Sequence, residues 1–242
     1  MKLIELIKRI FCWRRKPTPV EKYQQLSDIE WEICPEGPSA WNKHAGLKYQ
    51  KVIIGRQPCI RLACRKSSKN EDGWQTAAIK SIQAYGDGKF ECWAKFKSGK
   101  ATWPAIWMSH PGGAKNNYAT YYEIDLSEYY ETRDNTETTY HYPQSMRKES
   151  KFINVKTKIN LDEWNHFMCK WDEKSIEVYI NDNLVLNITN TNDSTYFPVN
   201  KEDRTFQIIL SMQYTNKWLS EPDLSELPLW MDVKNIKIYK KL

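Results

Sequence analysis

Residues 101–130 read ATWPAIWMSHPGGAKNNYATYYEIDLSEYY, two short runs of aromatic and branched residues on either side of a Pro-Gly-Gly loop. In an extended strand successive side chains point to opposite faces. Glu123 and Asp125 therefore share one face of the second run, and Ile124 and Leu126 share the other. Strict alternation would send Glu128 to the apolar side. One β-bulge near Ser127 would bring it back beside Glu123 and Asp125, because a bulge sets two residues opposite one. In the first run Trp103 and Trp107 fall on a common face, and Gly112-Gly113 reads as a plain turn.

The same rhythm extends outward in both directions. From Val52 onward, short β-branched and aromatic runs alternate with Gly, Asn, Asp and Pro at intervals of roughly ten residues, the pattern of an all-β sandwich. The runs are CIRLAC (59–64), AAIKSI (77–82), KFECWAKF (89–96), WPAIWM (103–108), YYEIDLSEYY (121–130), HFMCKW (166–171), SIEVYI (175–180), TFQIILSM (205–212) and MDVKNIKIY (231–239). Asp182-Asn183 resembles a hairpin turn and Gly86-Asp87-Gly88 a turn before the next strand, so neighbouring strands are expected to be antiparallel. A chain of 242 residues suits one such domain.

The N-terminal end differs. Leu3, Ile4, Leu6, Ile7, Ile10, Phe11 and Trp13 recur at helical spacing, which predicts a short amphipathic helix over 3–13. It is too short to cross a bilayer. It would dock on a protein partner or membrane surface, or fold back on its own domain. Residues 14–19, RRKPTP, cannot continue a helix and read as a spacer. The expected division is therefore a helix and linker over 1–27 and a β-sandwich over 28–242. Charged residues Glu5, Lys8 and Arg9 interrupt the apolar start, so no ordinary signal peptide is visible, and the compartment is left open.

With 36 basic and 30 acidic residues, the net charge of +6 is diffuse and demands no nucleic-acid partner. Eleven Trp and 14 Tyr are more than such a core ordinarily needs, and aromatic faces either stack on sugar rings or fill interiors. The six cysteines, Cys12, Cys34, Cys59, Cys64, Cys92 and Cys169, show no zinc spacing. Free buried thiols are the simplest reading of them. The four histidines form no metal-binding motif, and no nucleophile elbow or phosphate loop occurs.

The acidic row carries the chemistry. Glycoside hydrolysis by the common route needs two carboxylates of different protonation flanking one bond. Asp125, lying between Glu123 and Glu128, would disfavour full ionisation of the set and keep a proton on it near neutral pH. The alternative is an ordinary acidic solvent face. The aromatic setting argues against it: Tyr118, Tyr121, Tyr122, Tyr129 and Tyr130 flank the row, and Tyr140-His141-Tyr142 follows.

At this point the chain resembles glycoside hydrolase family 16, the laminarinase, lichenase, agarase and carrageenase group. ATWPAIWM resembles that family's WPAxWL strand and EIDLSE its bulged EIDxxE strand. Further matches are SIQAYGDGKFECWAKF (81–96), DEWNHFMCKWDEKSIEVYIND (162–182) and LWMDVKNIKIY (229–239), in family order over about residues 45–240. The resemblance implies a concanavalin A-like jelly-roll β-sandwich with an open cleft and a retaining endo-acting hydrolase of a β-linked polysaccharide, a β-glucan or galactan. It implies Glu123 as nucleophile, Glu128 as general acid and then base, and Asp125 as the group that tunes both. Trp103, Trp107 and Trp218 become candidates for sugar stacking, with His141 at the cleft rim. No catalytic cofactor is implied, and a structural calcium of the family finds no identifiable ligand set. Where the family often has W-P-x-x-G before the first Glu, this chain has Tyr118-Ala119-Thr120-Tyr121-Tyr122; Tyr118 would stand in for the stacking Trp. The competing reading is a non-catalytic sugar-binding module of a larger assembly, such as a virion or envelope complex, and a third is a structural protein docked through residues 3–13.

Overall fold

The computed structural model describes residues 22–111, 121–131, 134–143, 152–192, 196–215 and 217–242. The expected helix over 3–13, Tyr118 and Gly112-Gly113 lie outside them. The strands are β1 (Tyr23–Gln25), β2 (Trp31–Ile33), β3 (Gln50–Ile54), β4 (Gln57–Lys66), β5 (Trp74–Ser81), β6 (Gly88–Lys97), β7 (Thr102–Ser109), β8 (Glu123–Tyr129), β9 (Asn135–His141), β10 (Phe152–Lys158), β11 (Asn165–Trp171), β12 (Ser175–Ile180), β13 (Asn183–Thr189), β14 (Gln207–Tyr214) and β15 (Leu229–Lys241). Every pairing between them is antiparallel. The result is the all-β jelly-roll sandwich expected from the sequence.

Two layers form. The first runs β10-β9-β8-β7-β14-β5, and the second runs β4-β15-β6-β11-β12-β13, with β3 added beside β4. β5 belongs to both: Trp74–Thr76 pair with β4, while Ala77–Lys80 pair with β14. The sandwich is thus nearly closed along one side. Strict alternation in β6 explains the packing, since Phe90, Cys92, Ala94 and Phe96 are buried while Lys89, Glu91, Trp93 and Lys95 face outward. Ile106 and Met108 of β7, Ile124 and Leu126 of β8, Phe167 and Trp171 of β11, and Leu210 and Met212 of β14 complete one continuous core. Truncating a side chain such as Phe167 in this layer to Ala would cost about 3–5 kcal/mol. Cys34, Cys59, Cys64, Cys92 and Cys169 are free and buried. Burial raises all five thiols, Cys34 to about 11.

Two expectations shift. β1 pairs with the end of β15, and Leu26 donates its N–H to the Ile238 carbonyl at 2.9 Å. Residues 23–26, placed by the sequence in the linker, are therefore part of the sheet; their polar run YQQ hides an edge strand whose outer side faces solvent. The β12–β13 hairpin turns on Asn181-Asp182, one residue earlier than expected, with φ of 49° and 64°. Asn and Asp tolerate this left-handed geometry, which matches the twist of the paired strands. At Gly88 no larger residue fits, because a Cβ there would run into the carbonyl oxygen of Tyr239 on the neighbouring strand.

Candidate active site

The local geometry of β8 positions the acidic row. Glu123, Asp125 and Glu128 stand opposite Ser109, Trp107 and Ala105 of β7, with the register slipping between Trp107 and Ile106. Leu126 is the extra residue, so the bulge lies one position before Ser127. Leu126 and Ser127 consequently both turn inward and are fully buried. Leu126 fills the core, while the Ser127 hydroxyl is satisfied by Thr136 Oγ1 at 2.7 Å. The slip returns Glu128 to the face of Glu123 and Asp125. A small polar residue suits this inward position, because its one hydroxyl finds a partner there.

The three carboxylates sit in an environment that is almost dry. The side chains of Glu123 and Asp125 are 17% and 4% exposed. Glu123 accepts a hydrogen bond from the Tyr121 hydroxyl, and its other oxygen lies 3.7 Å from His141 Nε2. The same nitrogen is 3.3 Å from Asp125 Oδ2, an oxygen with no hydrogen-bond partner among the described residues. Glu128 receives Trp103 Nε1–H at 3.0 Å and Thr139 Oγ1–H at 3.2 Å, and the Tyr130 hydroxyl as well. Thr139 is itself fixed by Asn154 Nδ2 at 2.9 Å.

Burial and crowding set the protonation. Burial, then the Asp125 charge, pushes Glu123 up to about 8, against the downward pull of His141 and Tyr121. Burial and then Glu128 raise Asp125 well above the usual carboxylate range. For Glu128, burial outweighs the donors from Tyr130, Trp103 and Thr139, and the result is again upward. Three buried acids cannot all ionise together. The set therefore retains a proton at neutral pH, shared among its members. Burial and the Glu123 charge likewise keep the Tyr121 hydroxyl protonated, hence a donor.

Aromatic rings wall the row. Trp103 stacks on Tyr130 with centroids 5.9 Å apart and meets Trp218 edge-on at 5.0 Å. Trp218 is 49% exposed, with the Lys217 ammonium 5.6 Å from its ring centroid. Trp107 lies on the same side as Asp125, but it is only 7% exposed. Trp41 packs edge-on against it at 5.2 Å, and its indole N–H points to Ser211 Oγ at 3.3 Å. It forms floor rather than an open platform. His141 is opposite Glu123 on β9 and tilts against Phe152 at 5.7 Å. Seven of the eight residues singled out from the sequence thus share one surface, and the eighth is Tyr118.

Sequence reasoning did not single out Trp41, Tyr121, Tyr130, Thr139 or Asn154 as parts of the site. Tyr121 was within reach of the alternation rule, two residues before Glu123 on the same face. Trp41 left a fainter signal, a large aromatic in the Pro- and Gly-flanked segment PEGPSAWN (35–42) with no strand to bury it. Among the described residues, Glu123, Asp125 and His141 are the only three acidic, His or Cys side chains whose ligating atoms gather within 4.8 Å. The His141 contacts account for that gathering.

The comparisons with known proteins agree with this geometry. A keratan-sulfate endo-1,4-β-galactosidase of Sphingobacterium multivorum is 24% identical over 228 residues, covering 89% of this chain and 52% of that protein. A glucan endo-1,3-β-glucosidase A1 of Niallia circulans is 25% identical over 177 residues, 64% of this chain and 24% of that protein. The chain thus spans about half the length, or less, of these relatives. The laminarinase catalytic domain of Thermotoga maritima shares the fold with a TM-score of 0.75 at 21% identity, over 92% of this chain and all of that one. The model of the glycosyl hydrolases family 16 matches residues 41–226, a span that holds every strand of the acidic face from β5 to β14, and to that family the chain belongs.

Proposed function

We propose that the protein is a retaining, endo-acting glycoside hydrolase that cleaves a β-linked polysaccharide lying across β9, β8 and β7. The observation that carries this reading is the bulge at Leu126, which gathers Glu123, Asp125 and Glu128 on one face. Glu123 is the nucleophile: its carboxylate attacks the anomeric carbon while Glu128 gives its proton to the glycosidic oxygen, and the departing chain leaves as an alcohol. The glycosyl–Glu123 ester is then cleaved by water, from which Glu128, now a carboxylate, takes a proton.

The neighbours fit these roles. Tyr121 and His141 favour negative charge on Glu123. Asp125, the most enclosed of the three and short of a donor at Oδ2, competes with Glu123 for the shared proton, and the reactive form is the one in which Glu123 is without it. Trp103 and Thr139 each anchor one oxygen of Glu128, which supports the anion it becomes in the second step. Trp218 and Trp103 would stack on sugar rings, and His141 would stand at the rim. The relatives named above are a keratan-sulfate endo-1,4-β-galactosidase and a glucan endo-1,3-β-glucosidase, so a chain of β-galactosides and a β-glucan both stand as substrates.

The test is hydrolysis of laminarin, lichenan, agarose, carrageenan, porphyran and keratan sulfate by the purified protein, with the anomer first released followed by NMR. One of these should yield oligosaccharides of the β-anomer, and Glu123→Gln should stop their release while binding persists. Release of the α-anomer, or equal turnover by Glu123→Gln, would overturn the assignment.

A further inference from the structure

The outer face of the second sheet is as organised as the acidic face, and none of the chemistry above uses it. Cross-strand register sets out a grid. Trp230 is opposite Lys97, Asp232 stands between Arg61 and Lys95, and Lys234 is opposite Trp93, which is opposite His166. Trp164, just before β11, leans over the same area. Arg61 and Lys97 lie on the Trp230 ring at 4.5 and 4.4 Å from its centroid. Lys234 and Lys95 lie on the Trp164 ring at 4.1 and 5.2 Å. The three lysines are therefore held in place by indole faces rather than by carboxylates.

Charge on this grid is one-sided. Asp232 is fully buried, and Arg61 grips it through two hydrogen bonds of 2.7 and 2.9 Å. Lys95, Lys97 and Lys234 have no ion-pair partner among the described residues, Lys234 donating only to the Gln57 side-chain carbonyl. The next carboxylate along, Glu91, is occupied by Lys89 at 3.0 Å and Tyr239 at 2.7 Å. We propose that this surface, centred on Lys95, Lys97 and Lys234, binds an anionic polysaccharide bearing sulfate esters or carboxylates.

Three features select that ligand. Neighbouring positions on one face of the sheet are about 5–7 Å apart, which suits a repeating row of small anions. The ammonium groups are already ordered over indoles, so less conformational freedom is lost when an anion arrives. Both indoles carry cations, leaving little free aromatic face for the base stacking on which single-stranded nucleic acids rely. That the polyanion is a glycan rests on the hydrolase reading of the opposite face; the anion-binding surface itself does not.

The experiment uses the full chain carrying Glu123→Gln, so that no probe is consumed and turnover plays no part in the readout. Binding is measured to a sulfated galactan, to the same galactan after desulfation, and to a DNA duplex. Replacing Lys95, Lys97 and Lys234 together by Gln should weaken binding of the sulfated galactan about tenfold and flatten its salt dependence, with binding of the desulfated chain unchanged. Should the triple variant lose its fold, the single exposed change Lys97→Glu should still weaken the sulfated galactan severalfold, and Lys97→Arg should not. Equal affinity of parent and lysine variants for the sulfated galactan, or tighter lysine-dependent binding of DNA than of that glycan, would overturn the proposal.

Discussion

Two buried carboxylates, Asp125 under the acidic face and Asp232 under the basic one, lie in strands built from the same alternating pattern and have opposite surroundings. Asp232 is enclosed completely and gripped by Arg61 on both oxygens. Asp125 is enclosed almost as well, yet its Oδ2 lacks a donor and its nearest neighbours include two further acids. A buried charge matched by a partner is tolerated in place, and a buried acid left among other acids stores a proton for chemistry. Burial alone does not distinguish the two; the neighbours across the strand do.

The sharpest way to break this contrast is Glu128→Gln, which takes the acid from the row and leaves the bulge in place. Hydrolysis should fall on the order of 10^4-fold, as when a residue that acts in a unit is removed, measured as reducing-end release. Deleting Asn235 at the register slip of β15 disturbs the basic face instead and should leave most turnover intact.

A smaller effect, about 3 kcal/mol, is expected from Arg61→Ala, which leaves Asp232 buried under the basic face without its partner. Chemical denaturation would measure it. Changing both partners, Arg61→Met with Asp232→Leu, should recover most of the loss, because the uncompensated charge goes with its partner. If the single change costs nothing, the pairing is not what makes Asp232 tolerable.

The acidic face should show the reverse sign. Glu123 and Asp125 have pKa values raised above those of the unfolded chain, so the folded state binds protons more tightly. Their contribution to stability is complete below the unfolded values near 4 and is lost as pH rises through the folded ones, about 8 for Glu123. Thermal unfolding should therefore show a melting temperature that falls between pH 5 and 8, by about 3–4 kcal/mol in equivalent stability for Glu123. Glu123→Gln with Asp125→Asn should flatten that slope, and an unchanged slope would contradict the shared proton.

Much of this was legible in the chain before any coordinates. Alternation placed Glu123 and Asp125 together, and the need to rescue Glu128 called for a bulge within one residue of where it falls. The strands at 89–96 and 175–180 were equally plain, because period-two burial in a two-layer fold writes itself into composition. β9 and β10 were not singled out: NTETTYH and FINVKTK are rich in Thr, Asn and Lys, and their pairing rather than their hydrophobicity puts them in the sheet. Trp107 shows the other limit. Alternation gave its face correctly, but only Trp41, sixty-six residues upstream, decides that it is covered. Long-range packing of that kind leaves no periodic trace.

Three enclosed cysteines give the sandwich an internal clock. The thiols of Cys64, Cys92 and Cys169 are raised by burial and lie in the core between the layers, so a maleimide or disulfide reagent in the surrounding solution meets neither a thiolate nor a path to one there while the sheets are closed. Each labelling event at Cys64, Cys92 or Cys169 would then record an opening of the layers, and its rate would read the lifetime of the native state directly.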